Sequence, residues 1–174
     1  MPARRYTAID FAILAVVAVV VGLIFFFVEI PYEVTKAAAG KMVARIAFYG
    51  LWFIGGPLAG SLIRKPGAAF LGEFLGALVE GILPTIYASS VLVYGAAQGI
   101  MSEIAYAILG YRKWGIGAGV LAGALPALVV PFLDYLLWGA TITDVMLWVY
   151  MIGAMISGAI YGAIAALIGN TLRR

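Results

Sequence analysis

From Asp10 to Phe27 the chain reads DFAILAVVAVVVGLIFFF, and between Phe11 and Phe27 it carries no charged or hydrogen-bonding side chain. Wound as a helix at about 1.5 Å per residue, such a run crosses most of the roughly 30 Å hydrocarbon core of a bilayer. Lipid offers the backbone no hydrogen-bond partners, so a run of this length reads as a transmembrane helix. Arg4 and Arg5 precede it, and the small-residue cleavage pattern of a secretory leader is not evident, so it reads as a retained span.

Outward from this span, five more apolar runs occupy residues 43–63, 68–83, 91–109, 115–138 and 144–168. Six crossings of about 20 residues each account for most of a 174-residue chain. The expected fold is therefore an all-α integral membrane protein, one six-transmembrane-helix bundle over residues 1–174. Composition agrees: 65% of residues are hydrophobic and 11% charged, too little polar surface to solvate a globule of this size.

Alternation of sides gathers Arg4/Arg5, Arg64/Lys65, Arg112/Lys113 and Arg173/Arg174 at one face, leaving Lys36, Lys41 and Arg45 at the other. By the positive-inside rule both termini are cytoplasmic, and the expected location is the plasma membrane of a prokaryote. The net charge of +3 then reads as topology and not as a nucleic-acid footprint. With no histidine and no cysteine, the chain lacks the usual donors for zinc, copper or haem and the base for Ser-His or Cys-His catalysis. A binding or transport role without cofactor or metal is expected, and not an enzyme.

The longest connection, residues 28–42, carries Glu29, Pro31, Glu33, Lys36 and Lys41. It reads as a water-exposed loop or helix extension on the outer face, able to act as a lid. The other outer links, Thr85 to Ser90 and Gly139 to Thr143, are short. Small residues recur four apart at Ala8/Ala12, Gly72/Gly76, Gly119/Gly123 and Gly158/Gly162, the spacing that lets helices approach closely in lipid. Ala8 and Ala12 stand at the start of the chain, where a partner subunit could dock.

Ionisable residues inside hydrocarbon are costly and mark functional sites. Glu73 and Glu80 are seven residues apart and share one face of the third run with Gly76 and Ala77. Counting from the run ends puts Glu80 and Asp134 in one outer layer, Glu73 and Glu103 toward the inner boundary, and Gln98 near the middle, one turn from Tyr94. No arginine or lysine is expected at these depths. The carboxyls are then protonated, hydrogen-bonded to neutral groups, or met by a cation from outside the chain. Tyr49 and Trp52, with Tyr94, Tyr135 and Trp148 at comparable depth, offer ring faces to a cation or a heteroaromatic ring. Trp138 and Trp148 also fit an interfacial aromatic belt.

The segments Tyr49-Gly-Leu-Trp-Phe-Ile54 and Ile63-Arg-Lys-Pro-Gly-Ala-Ala69, then Glu73 through Glu80, Gln98-Gly99 with Glu103, and Leu133-Asp134-Tyr135 resemble the YkoE family. These are S components, the substrate-binding subunits of energy-coupling factor transporters, for thiamine or its hydroxymethylpyrimidine precursor. The resemblance spans about residues 48–136, and its most specific part is the Arg-Lys-Pro-Gly segment with its two downstream glutamates. It implies a transmembrane coupling subunit and ATP-binding-cassette ATPases as partners, since this chain has no P-loop. The link Gly81-Ile-Leu-Pro-Thr85 is apolar where the family's loop is expected to be more polar.

Resemblance and chemistry together assign Glu80 and Asp134 to the charged or amino groups of thiamine, Gln98 to orientation, and Tyr49 and Trp52 to stacking. Tyr94 and Tyr135 complete the set, while Glu73 and Glu103 line the floor or lock helices together. Two other readings fit the residues: an S component for a different vitamin or cation, and a proton-coupled transporter of small cations using Glu73.

Overall fold

The computed structural model describes residues 5–139 and 144–173. Arg4, Arg174 and the 140–143 portion of the last link, all invoked above, lie outside the described residues. Six helices follow one another: α1 Ala8–Ala39, α2 Lys41–Ile63, α3 Ala68–Ile82, α4 Ser90–Ile108, α5 Ile116–Trp138 and α6 Asp144–Leu172. Five are long and apolar enough to cross a membrane; α3, with 15 residues, is shorter than these. The perimeter is apolar, with Val16, Phe27, Ile100, Phe132 and Ile160 all exposed, whereas small residues such as Ala59, Ala122 and Ala165 fill the interior. That inversion suits a lipid surround.

A reciprocal cap starts α1: Asp10 N–H donates to Thr7 Oγ1 at 3.3 Å, and Thr7 N–H donates to the Asp10 carboxylate at 2.6 Å. Each bond satisfies a backbone donor that the first turn leaves free. At its far end α1 does not stop where its charges begin. The 28–42 stretch is a helical extension containing Pro31, and it ends at Gly40, whose φ of 91° is a conformation that favours glycine.

The second helix is the hub, packed against all five others. It is broken into an α segment, Lys41–Phe48, a 3-10 turn, Tyr49–Phe53, and a second α segment, Gly55–Ile63. Pro57 has no N–H to give the preceding turn, which accounts for the break. Pro126 and Pro131 interrupt α5 in the same way, with a 3-10 turn at Leu125–Leu128.

The small-residue pairs on α5 and α6 meet each other. A methyl group on Gly123 would overlap the Gly158 carbonyl oxygen, and one on Gly162 would overlap that of Gly119. Gly72 is covered by Ala59, and Gly76 by Val21. Ala8 and Ala12 face outward.

Charge separates along the bundle. Lys65 donates to the Arg5 carbonyl at 3.0 Å and to the Asp10 carboxylate at 2.5 Å, Arg64 to Asn170 at 2.6 Å, and Arg173 to the Leu62 carbonyl at 2.5 Å. These basic residues share one end. Lys36, Lys41 and Arg45 gather around the α1–α2 junction at the other.

Candidate functional site

At the α1–α2 end a cavity of about 330 Å³ opens between α1, α2, α3, α4 and α5, within the size range of small-molecule pockets. Its walls follow from helical spacing. Lys41, Arg45, Tyr49 and Trp52 fall on one stripe of α2, and Phe25, Tyr32, Glu33 and Lys36 on one stripe of α1; all eight line the cavity. Glu80 comes from α3, Tyr94 and Gln98 from α4, Asp134 and Trp138 from α5.

The aromatic wall is continuous. Ring centroids of Tyr32 and Trp52 lie 5.2 Å apart, Tyr49 and Trp52 5.6 Å, Trp52 and Tyr87 6.1 Å, and Tyr87 and Trp138 6.3 Å. Edge-to-face and tilted contacts of this kind hold rings without stacking them shut. Glu80 accepts a hydrogen bond from Trp52 Nε1 at 3.3 Å. Gln98, buried, presents an amide that can both donate and accept.

The expectation that no basic side chain reaches the carboxylate layer is overturned by Arg45. Its Nη2 donates to Asp134 Oδ2, and Tyr94 donates its hydroxyl to Asp134 Oδ1 at 2.7 Å. The guanidinium carbon lies 4.5 Å from the Tyr49 ring centroid and 5.0 Å from that of Tyr150. Asp134 is thus neutralised within the chain. Arg45 was read as a surface topology marker, but α2 starts directly after Gly40, so Arg45 lies one turn inside the bundle with a side chain long enough to cross to α5. The signal was legible: Lys41, Arg45, Tyr49 and Trp52 repeat at i, i+4, i+8 and i+11.

Glu73 and Glu103 lie outside the cavity and act as caps on other helices. Glu103 on α4 accepts from the N–H groups of Gly67 at 2.6 Å, Ala69 at 3.0 Å and Phe70 at 3.2 Å, the free donors at the start of α3. Burial pushes the nearby Tyr6 and Tyr111 hydroxyls up to about 12, and the Glu103 charge adds to this. Glu73, fully buried, accepts from Gly56 N–H at 2.8 Å, where the second α segment of α2 begins. A broken helix exposes donors in mid-bundle, and a carboxylate from a neighbour meets one. Tyr135 and Trp148 point away from the cavity, 65% and 59% exposed, as belt residues do.

The mouth is closed on one side by the link between α3 and α4. Buried Glu29 accepts from Thr85 Oγ1 and from Ile86 N–H at 3.1 Å; Glu33 accepts from the Tyr87 hydroxyl at 3.1 Å and from Lys36 at 2.6 Å. Burial first, then the Glu33 carboxylate, raises the Tyr87 hydroxyl well above its ordinary value. This link is apolar in sequence, yet it contributes Ile86 and Tyr87 to the cavity.

The sequence model of the family described as ABC-type cobalt transport system, permease component, matches residues 9–129. The chain is similar to the Bacillus subtilis (strain 168) protein provisionally named HMP/thiamine permease protein YkoE, 29% identical over 161 residues, covering 90% of this chain and 79% of the relative. Its fold is similar to a crystal structure of an S component of an ECF transporter, with a TM-score of 0.86 and 26% identity, over 97% of this chain and 84% of the other.

Proposed function

The chain belongs to the family of ABC-type cobalt transport system permease components, and from that premise we propose that it is the substrate-binding S component of an energy-coupling factor importer for thiamine or hydroxymethylpyrimidine. The observation that carries this reading is the cavity itself: a ring-lined chamber in which Glu80, free of any ion pair, and Gln98 are polar anchors suits an aminopyrimidine, which offers donors, acceptors and a flat face. The likeness to YkoE and to the solved S component supports it.

Cobalt is not the cargo proposed. Of the carboxylates lining the cavity, Asp134 is bound to Arg45 and Glu33 to Lys36, which leaves Glu80 alone as a free carboxylate, too few hard oxygen donors for a divalent ion. The proton-coupled reading is not carried further, because Glu73 lies outside the cavity, with one carboxylate oxygen on Gly56 N–H.

In the proposed arrangement α3 is the sixth crossing, the basic end is cytoplasmic and the cavity opens outside. The outward apolar face of α1 around Ala8 and Ala12 receives the transmembrane coupling subunit, and separate ATPases supply the energy. Titrating the purified protein with hydroxymethylpyrimidine or thiamine tests the reading: both Trp52 and Trp138 line the cavity, so quenching of tryptophan fluorescence is expected. No response to either compound, with riboflavin also silent, rejects a vitamin site.

A further inference from the structure

The charges lining the cavity do not cancel locally. Glu33 is taken by Lys36 and Asp134 by Arg45. What remains is Glu80 beside Trp52 on one wall and, on the other, Lys41 with the rest of the Arg45 guanidinium. Arg45 is 1% exposed, and its Nε and Nη1 have no hydrogen-bond partner among the described residues. Lys41, one helical turn away, holds its ammonium 5.0 Å from the centroid of the Tyr150 ring that also covers Arg45. Two cationic heads therefore lie against one ring, and among the described residues no carboxylate stands within ion-pair distance of Lys41. Buried donors demand an acceptor, and a guanidinium beside an ammonium favours an oxyanion.

We infer that the Lys41–Arg45 wall is an oxyanion subsite, so that the cavity takes a heteroaromatic ligand bearing a phosphate or carboxylate at one end and amino donors at the other. The inference rests on the proposed reading of the cavity as a ligand site and adds the polarity of the ligand. The donor-bearing end meets Glu80 and Trp52; the ring lies along Tyr32, Tyr49 and Trp52; the oxyanion meets Lys41 and Arg45. Within the vitamin class, the monophosphate esters have this polarity and the free alcohols do not.

The test is a fluorescence titration of the full chain with four probes: hydroxymethylpyrimidine, its monophosphate, thiamine and thiamine monophosphate, with inorganic phosphate alone as a fifth arm. Each ester is expected to bind at least tenfold more tightly than its alcohol. In Lys41→Gln that ratio falls to about one, and in Lys41→Arg it survives. Equal affinities in the wild type, or a ratio untouched by Lys41→Gln, overturn the subsite while leaving the vitamin reading intact. Silent pyrimidines with phosphate bound through Lys41 overturn the vitamin reading and keep the subsite. Silence from all five probes overturns both.

Discussion

Arg45 and Asp134, 89 residues apart in sequence, form a buried ion pair between α2 and α5 at the wall of the cavity. The pair converts a carboxylate that would otherwise attract a cation into a structural anchor. It also holds the guanidinium against the Tyr49 and Tyr150 rings.

Removing one partner leaves a buried charge, so Arg45→Met should destabilise the protein by roughly 3–5 kcal/mol. Replacing both, Arg45→Met with Asp134→Leu, should recover most of that loss. Thermal unfolding in detergent measures it, and a double variant no more stable than Arg45→Met alone would show that the pair is not the source.

Glu103 meets three backbone donors at the start of α3. Glu103→Ala should cost about 1–2 kcal/mol, as loss of a helix cap does. Ligand affinity should hold within twofold, because the residue lies outside the cavity. A large drop in affinity with unchanged stability would return Glu103 to the binding site.

Glu80 and Glu73 share a helix face, but only Glu80 of the two lines the cavity. Glu80→Gln should weaken vitamin binding by about 10- to 100-fold, the range for a hydrogen bond to a charged group. Glu73→Gln should lower the melting temperature and leave the dissociation constant nearly unchanged. The reverse pattern would exchange their roles.

At the α5–α6 crossing Gly123→Ala should destabilise by about 1–3 kcal/mol, since the added methyl meets the backbone of Gly158. Gly117→Ala, one turn or more away in open space, should be neutral or stabilising by up to about 1 kcal/mol. Similar melting temperatures for the two variants would mean that the close approach is not what sets the packing there.

The membrane character, the all-helical fold and the gathering of Arg5, Arg64, Lys65 and Arg173 at one end were legible because each is a property of a segment: apolar length, helical period, charge at a run's edge. Much of the aromatic wall was legible too. Tyr49, Trp52, Glu80, Tyr94, Gln98 and Asp134 were named from spacing and resemblance, and all six line the cavity. The α1 contribution was less so. Residues 28–42 look like a connector by composition, and only the continued helix brings Tyr32, Glu33 and Lys36 over the mouth.

By itself the amino-acid order determined that this chain lives in lipid, as a bundle of apolar helices whose polar residues turn inward, because hydrocarbon leaves a backbone and its charges no other solution. Which inward carboxylate faces the chamber, and which does not, was decided by tertiary structure alone. Helical periodicity assigns residues to a face but does not say what stands opposite. The breaks in α2 and the start of α3 expose backbone donors that claim Glu73 and Glu103, Arg45 reaches Asp134 across the bundle, and Glu80 is left facing the chamber.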